Sequence, residues 1–139
     1  LLVFILVAQG TEIKFMNNCG HQVQVMQIEK GLAEEQQTIL EPGSFDMATF
    51  DKKELAFKAS GSDSVAEFKF NQWGSEDLYD LRVGAGSMTP MMLQTNRNGG
   101  HTIDCRDNLC PEAYHNILEG FKTFGAPTGG MFTLIFCPP

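Results

Sequence analysis

Two carboxylates, Glu67 and Asp80, are the residues best placed to do chemistry as a pair. In Ala66-Glu67-Phe68-Lys69-Phe70-Asn71 apolar and polar residues alternate, which sets Glu67 on the face opposite Ala66, Phe68 and Phe70. A hairpin turning at Trp73-Gly74 then brings Asp80 across from Glu67. Side chains so opposed have Cβ atoms about 5 Å apart, so the carboxylates repel and one should titrate high. Glycoside hydrolysis needs such a split: a donor that stays protonated near neutral pH beside a partner that stays ionised. The plainer reading is two solvated carboxylates on an outward face, balanced by Lys58, Lys69 or Arg82.

The four cysteines, Cys19, Cys105, Cys110 and Cys137, allow three pairings, and a secreted context favours bridges over free thiols. By position, Cys19 closes the first strand and Cys137 the last, so one bridge would tie the chain ends together and Cys105 with Cys110 would close a tight loop. A rival reading makes His101, Cys105, Cys110 and His115 a metal site, but the spacing is irregular for structural zinc, and neither a metal nor a cofactor is expected. No serine has a Gly-x-Ser-x-Gly setting, so a hydrolase triad has no support. Met88, Met91 and Met92 read as core filler. Trp73 and Tyr79 could stack on a sugar ring, although a buried hairpin aromatic is the stronger expectation.

The elements that must position these residues are strands. Ile13 and Phe15 alternate with Glu12 and Lys14, and Val23 and Val25 with Gln22 and Gln24, as in half-buried antiparallel strands. Met131-Phe132-Thr133-Leu134-Ile135-Phe136 is almost continuously apolar and reads as a central strand with both faces covered. Turn signals at Glu41-Pro42-Gly43, Ser60-Gly61-Ser62, Gly84-Ala85-Gly86, Asn98-Gly99-Gly100 and Pro127-Thr128-Gly129-Gly130 separate the runs, which points to an all-β sandwich or barrel. One helix is expected over Pro111 to Glu119, with Pro in the first turn and Gly120 as the stop.

The 139 residues give room for one domain, expected over residues 11–139. The opening Leu1-Leu2-Val3-Phe4-Ile5-Leu6-Val7-Ala8 is too short to span a bilayer, and Ala8-Gln9-Gly10 supplies small residues for cleavage. Residues 1–10 therefore read as the remnant of a secretory signal peptide, which implies an extracellular protein without stable membrane insertion. A net charge of −7 disfavours nucleic acid and anionic lipid as partners. Asn-x-Ser/Thr does not occur, so N-glycosylation is not expected.

Five ordered segments carry a family resemblance. Phe15-Met16-Asn17-Asn18-Cys19, Ala66-Glu67-Phe68-Lys69-Phe70-Asn71-Gln72-Trp73-Gly74 with Leu78-Tyr79-Asp80, Pro90-Met91, Cys110-Pro111-Glu112-Ala113-Tyr114 and Phe136-Cys137-Pro138 together resemble the thaumatin-like proteins (pathogenesis-related group 5, osmotin-like). The resemblance implies a flattened antiparallel β-sandwich, a bond between Cys19 and Cys137, and a Cys105–Cys110 pair. It also implies a deletion: where full-length relatives carry a loop-rich, cysteine-dense second domain, only Arg106-Asp107-Asn108-Leu109 remain.

The family's cleft is lined by an arginine and several carboxylates. Glu67 and Asp80 match two of the acids, the arginine falls near Lys58, the next aspartate falls at Ala85, and the last belongs to the missing stretch. A groove open on one side holds water, which weakens substrate orientation and pKa perturbation alike, so binding should survive better than turnover. The resulting expectation is a monomeric, secreted defence or host-interaction protein. Its reduced acidic groove, formed by Lys58, Glu67, Asp80 and Tyr79, would bind β-glucan, another cell-wall polysaccharide or a secreted protein. The alternatives are a weak endo-β-1,3-glucanase using Glu67 and Asp80, and an inhibitor of a secreted hydrolase that presents loops such as Asn96 to Gly100.

Overall fold

A computed structural model describes residues 2, 10–51, 54–115 and 120–139. Apart from Leu2 and Gly10, the segment expected to be a signal-peptide remnant lies outside the described residues.

Among the described residues eleven strands form two sheets. The first joins β4 (Phe45–Phe50), β1 (Thr11–Asn17), β11 (Met131–Phe136), β8 (Met91–Thr95) and β9 (Ile103–Cys105), in that order. The second runs β10 (Phe124–Pro127), β7 (Glu76–Arg82), β6 (Val65–Gln72), β5 (Glu54–Ala59), β2 (Val23–Ile28) and β3 (Glu35–Leu40). Every pairing is antiparallel except β1 with β11, which run parallel in the middle of their sheet and set Asn17 beside Phe136. This register brings the following cysteines within reach, and Cys19–Cys137 is bonded with a Cα separation of 5.0 Å. Cys105–Cys110 is bonded as well, with a Cα separation of 5.3 Å.

Period-two alternation places the core between the sheets. Ile13 and Phe15 of β1, Leu55 and Phe57 of β5, Phe68 and Phe70 of β6, and Phe132 and Leu134 of β11 all point inward. Burying one phenylalanine ring contributes about 2 to 3 kcal/mol. The rings also meet at favourable edge-on angles, Phe15 with Phe57 at 5.0 Å and Phe68 with Phe132 at 5.1 Å. Chain crossing from one sheet edge to the other occurs at Glu41-Pro42-Gly43, where Gly43 has φ of +79° and its N–H donates to the Asn17 carbonyl.

Two sequence expectations are corrected. β11 is central within its sheet, yet only Phe132, Leu134 and Phe136 are buried; Met131, Thr133 and Ile135 lie partly exposed on the outer face, which no layer covers among the described residues. Of the helix expected over Pro111 to Glu119, residues 116–119 lie outside the described residues, and 111–115 form turns. The Tyr114 N–H donates to the Leu81 carbonyl, and the Tyr114 carbonyl accepts from the Val83 N–H, both at 2.9 Å. Those groups bridge to β7 and cannot serve helical bonds. There is no helix among the described residues.

Candidate functional site

The outer face of the six-stranded sheet carries the polar half of each alternating strand. Glu67 on β6 pairs directly with Asp80 on β7 and, on its other side, with Ala56 on β5. The next outward residue of β7 is Arg82, whose Nε donates to Glu67 Oε1 at 3.1 Å. Both side chains of this ion pair remain about one-third exposed (36% for Glu67 and 37% for Arg82), so it contributes little to stability but fixes the Glu67 carboxylate.

Asp80 is held differently. Its Oδ1 is buried without a hydrogen-bond partner, and Oδ2 accepts from Thr123 Oγ1 at 3.4 Å. Burial, reinforced by the neighbouring Glu67 carboxylate, pushes the Asp80 carboxyl up to about 8, against the opposing pull of Arg82 and Thr123. Asp80 therefore carries its proton at neutral pH, which relieves the repulsion that two opposed carboxylates would otherwise suffer.

The chain after Cys110 builds a partial wall beside these groups. Arg82 lies over the Tyr114 ring at 5.1 Å, and the Tyr114 hydroxyl accepts from the Lys122 N–H at 2.7 Å and bonds Thr123 Oγ1 at 2.9 Å. Phe121 stands at this rim with 86% of its surface exposed. Together these residues bound a groove of about 530 Å³, whose lining also includes Ile28, Lys30, Glu54 and Lys69.

Of the residues expected at the site, the fold brings Glu67 and Asp80 together and leaves the other two elsewhere. Lys58 pairs with Glu34 at 3.2 Å and does not line the groove. Arg82 occupies the cationic place beside the carboxylates. Tyr79 is fully buried: its register partner is Phe68, its ring packs against Phe132 at 5.0 Å, and its hydroxyl donates to the His101 carbonyl at 2.6 Å. No ring face is left for a sugar. Sequence reasoning missed Tyr114, Phe121 and Thr123 as wall residues. Arg82 had a signal, since it follows Asp80 by two on an alternating strand.

The alternative metal array has no free thiols, because Cys105 and Cys110 are bonded to each other. The His101 ring stacks on Phe124 at 3.9 Å, and its Nε2 bonds Glu112.

No protein-family model matches the chain. A thaumatin-like protein of Oryza sativa subsp. japonica is 32% identical over 84 residues, 60% of this chain and 46% of that protein. Thaumatin-like pathogenesis-related protein 4 of Avena sativa is 31% identical over 75 residues, 54% of this chain and 41% of that protein. The matched stretch thus spans less than half the length of either relative. Among solved structures, the protein elicitor MoHrip2 from Magnaporthe oryzae aligns with a TM-score of 0.72 at 20% identity, covering 92% of this chain and 99% of its own. The thaumatin-like xylanase inhibitor TLXI aligns with a TM-score of 0.66 at 15% identity, covering 91% and 99%. The chain is thus similar in sequence, over somewhat more than half its length, to two thaumatin-like relatives, and it shares the fold of a solved thaumatin-like xylanase inhibitor.

Proposed function

We propose that the protein is a secreted recognition module of defence or host interaction that binds a cell-wall polysaccharide, of the β-glucan type or another, in the groove over Glu67, Asp80 and Arg82. The observation that carries this reading is the pairing of a polar floor with an exposed aromatic rim. Glu67 and Arg82 offer fixed acceptors and donors for sugar hydroxyls, and Phe121 offers an apolar face for a pyranose ring. Two disulfides suit an oxidising, extracellular setting.

Hydrolysis is the second reading, favoured by the division of the pair into a protonated Asp80 and a Glu67 held by Arg82. Against it stands access: Asp80 Oδ1 is buried and Oδ2 faces Thr123, so neither oxygen is free to protonate a glycosidic oxygen. Inhibition of a secreted hydrolase is a third reading, supported by the likeness to a solved xylanase inhibitor. The deciding experiment incubates the full chain with laminarin and other wall polysaccharides, reading bound protein and reducing ends together, beside Glu67→Gln/Asp80→Asn. Retention without new reducing ends, lost in the variant, is the expected outcome. Reducing ends lost in the variant would favour hydrolysis, and absence of both signals would redirect the search to a protein partner.

A further inference from the structure

The charges that line the groove do not follow the protein's acidic average. Arg82 is matched to Glu67, and Glu54 sits across the strand pair from Lys69 without forming an ion pair. Lys30, in the turn that follows β2, is exposed and likewise has no ion-pair partner among the described residues. Lys69 is exposed on the same face. Asp80, the third carboxyl of the lining, holds its proton at neutral pH. The groove therefore presents three cations, Lys30, Lys69 and Arg82, of which the two lysines have no ion-pair partner among the described residues, on a chain of net charge −7.

Over a contact distance the local groups decide. At physiological ionic strength charges beyond about 8 Å are largely screened, so the remote acidic surface acts weakly on a ligand seated between the two lysines. A lysine ammonium without a protein partner is a point charge able to receive an acceptor from outside.

From this arrangement we infer that the groove selects polysaccharides carrying uronic acid carboxylates over neutral glucans, with Lys30 and Lys69 receiving the carboxylates while Phe121 stacks on a ring. The inference rests on the groove being a polysaccharide site and adds the chemical class of its ligand. A second cross-strand relationship supports it: directly across β7 Lys69 faces the apolar Leu78, and it forms no ion pair among the described residues.

The test compares one backbone with and without charge. A galacturonic acid oligomer and its methyl ester are titrated against the full chain by calorimetry, with laminarin as a neutral probe of different linkage. The acid should bind about fivefold more tightly than the ester, the scale of one partly exposed charge pair. In Lys30→Gln/Lys69→Gln the ratio of acid to ester affinity should fall to about one, and a ratio kept at the wild-type value would also overturn the inference. Both positions are exposed, so the substitutions leave the core untouched. Equal binding of acid and ester by the wild type would overturn the inference and leave the polysaccharide reading standing. Binding of none of the three probes would overturn both.

Discussion

Glu67 and Asp80 stand directly opposite each other on β6 and β7, yet they live in different surroundings. Glu67 is held by Arg82 near the surface, whereas Asp80 points one oxygen into a buried space without a donor. A proton on Asp80 reconciles the two, because a neutral carboxyl beside an ion-paired carboxylate needs no second cation. The same relationship makes Asp80 a liability to the folded state whenever it ionises.

The stability profile should therefore carry a signature of Asp80. Folding raises its carboxyl from 3.8 to about 8, so its contribution is fully present below the lower value and is lost as pH rises through the higher one. Urea unfolding at a series of pH values should reveal this decline in the wild type, and Asp80→Asn should remove it. Near pH 8 the variant should be more stable by roughly 1 to 2 kcal/mol, less than the unscreened linkage value because the site keeps contact with water. Parallel pH profiles for the two proteins would refute the assignment.

The two disulfides should differ in weight. Cys19–Cys137 spans 118 positions and Cys105–Cys110 spans 5. In the chain-entropy account, loops of these lengths correspond to about 5 and about 2 kcal/mol. Denaturant midpoints of Cys19→Ala/Cys137→Ala and Cys105→Ala/Cys110→Ala should fall in that order, and equal losses would contradict it.

The Glu67–Asp80 pairing was anticipated from the alternation of β6 and a turn at Trp73-Gly74, although the turn that forms includes Ser75 and pairs Gln72 with Glu76, so that it is the register shift between Lys69 and Gln72 that restores Glu67 opposite Asp80. The same alternation contains the correction for Tyr79: if Glu67 faces Asp80, then Phe68 faces Tyr79, and Phe68 belongs to the core. Arg82 follows by the same rule. Phe121 was not legible, since it lies in an irregular segment between Gly120 and Lys122 where no periodicity assigns a face. Lys58 occupies the outward face as alternation requires, but its partner Glu34 comes from outside the strands read for pattern. The helix failed because capping signals are local, whereas the bonds of Tyr114 to β7 are tertiary.

Tyr79 and Phe121 should separate stability from binding. Tyr79→Phe removes the donor that satisfies the His101 carbonyl and should cost about 1 kcal/mol in urea unfolding while leaving polysaccharide affinity unchanged. Phe121→Ala should leave stability within about 0.5 kcal/mol, since the ring is exposed, and weaken polysaccharide binding roughly fivefold. A Phe121→Ala variant that binds as the wild type does would remove the aromatic rim from the site.

Trp73 gives the last test, because its surroundings contradict the ordinary reason for keeping a large aromatic residue. It was expected to be buried, yet 80% of its surface is exposed and its φ is +51°, a conformation that L side chains resist. The register of β6 and β7 shifts between Lys69 and Gln72, and this irregularity swings the following residue out of the alternating pattern. Removing the side chain therefore forfeits little burial and relieves a backbone cost of about 1 to 2 kcal/mol. Trp73→Gly should match or exceed the wild type in thermal stability, whereas Trp73→Val should fall below it, since a β-branched residue tolerates this φ least. A loss of more than about 2 kcal/mol in Trp73→Gly would mean instead that the ring packs on the hairpin tip and holds it in place.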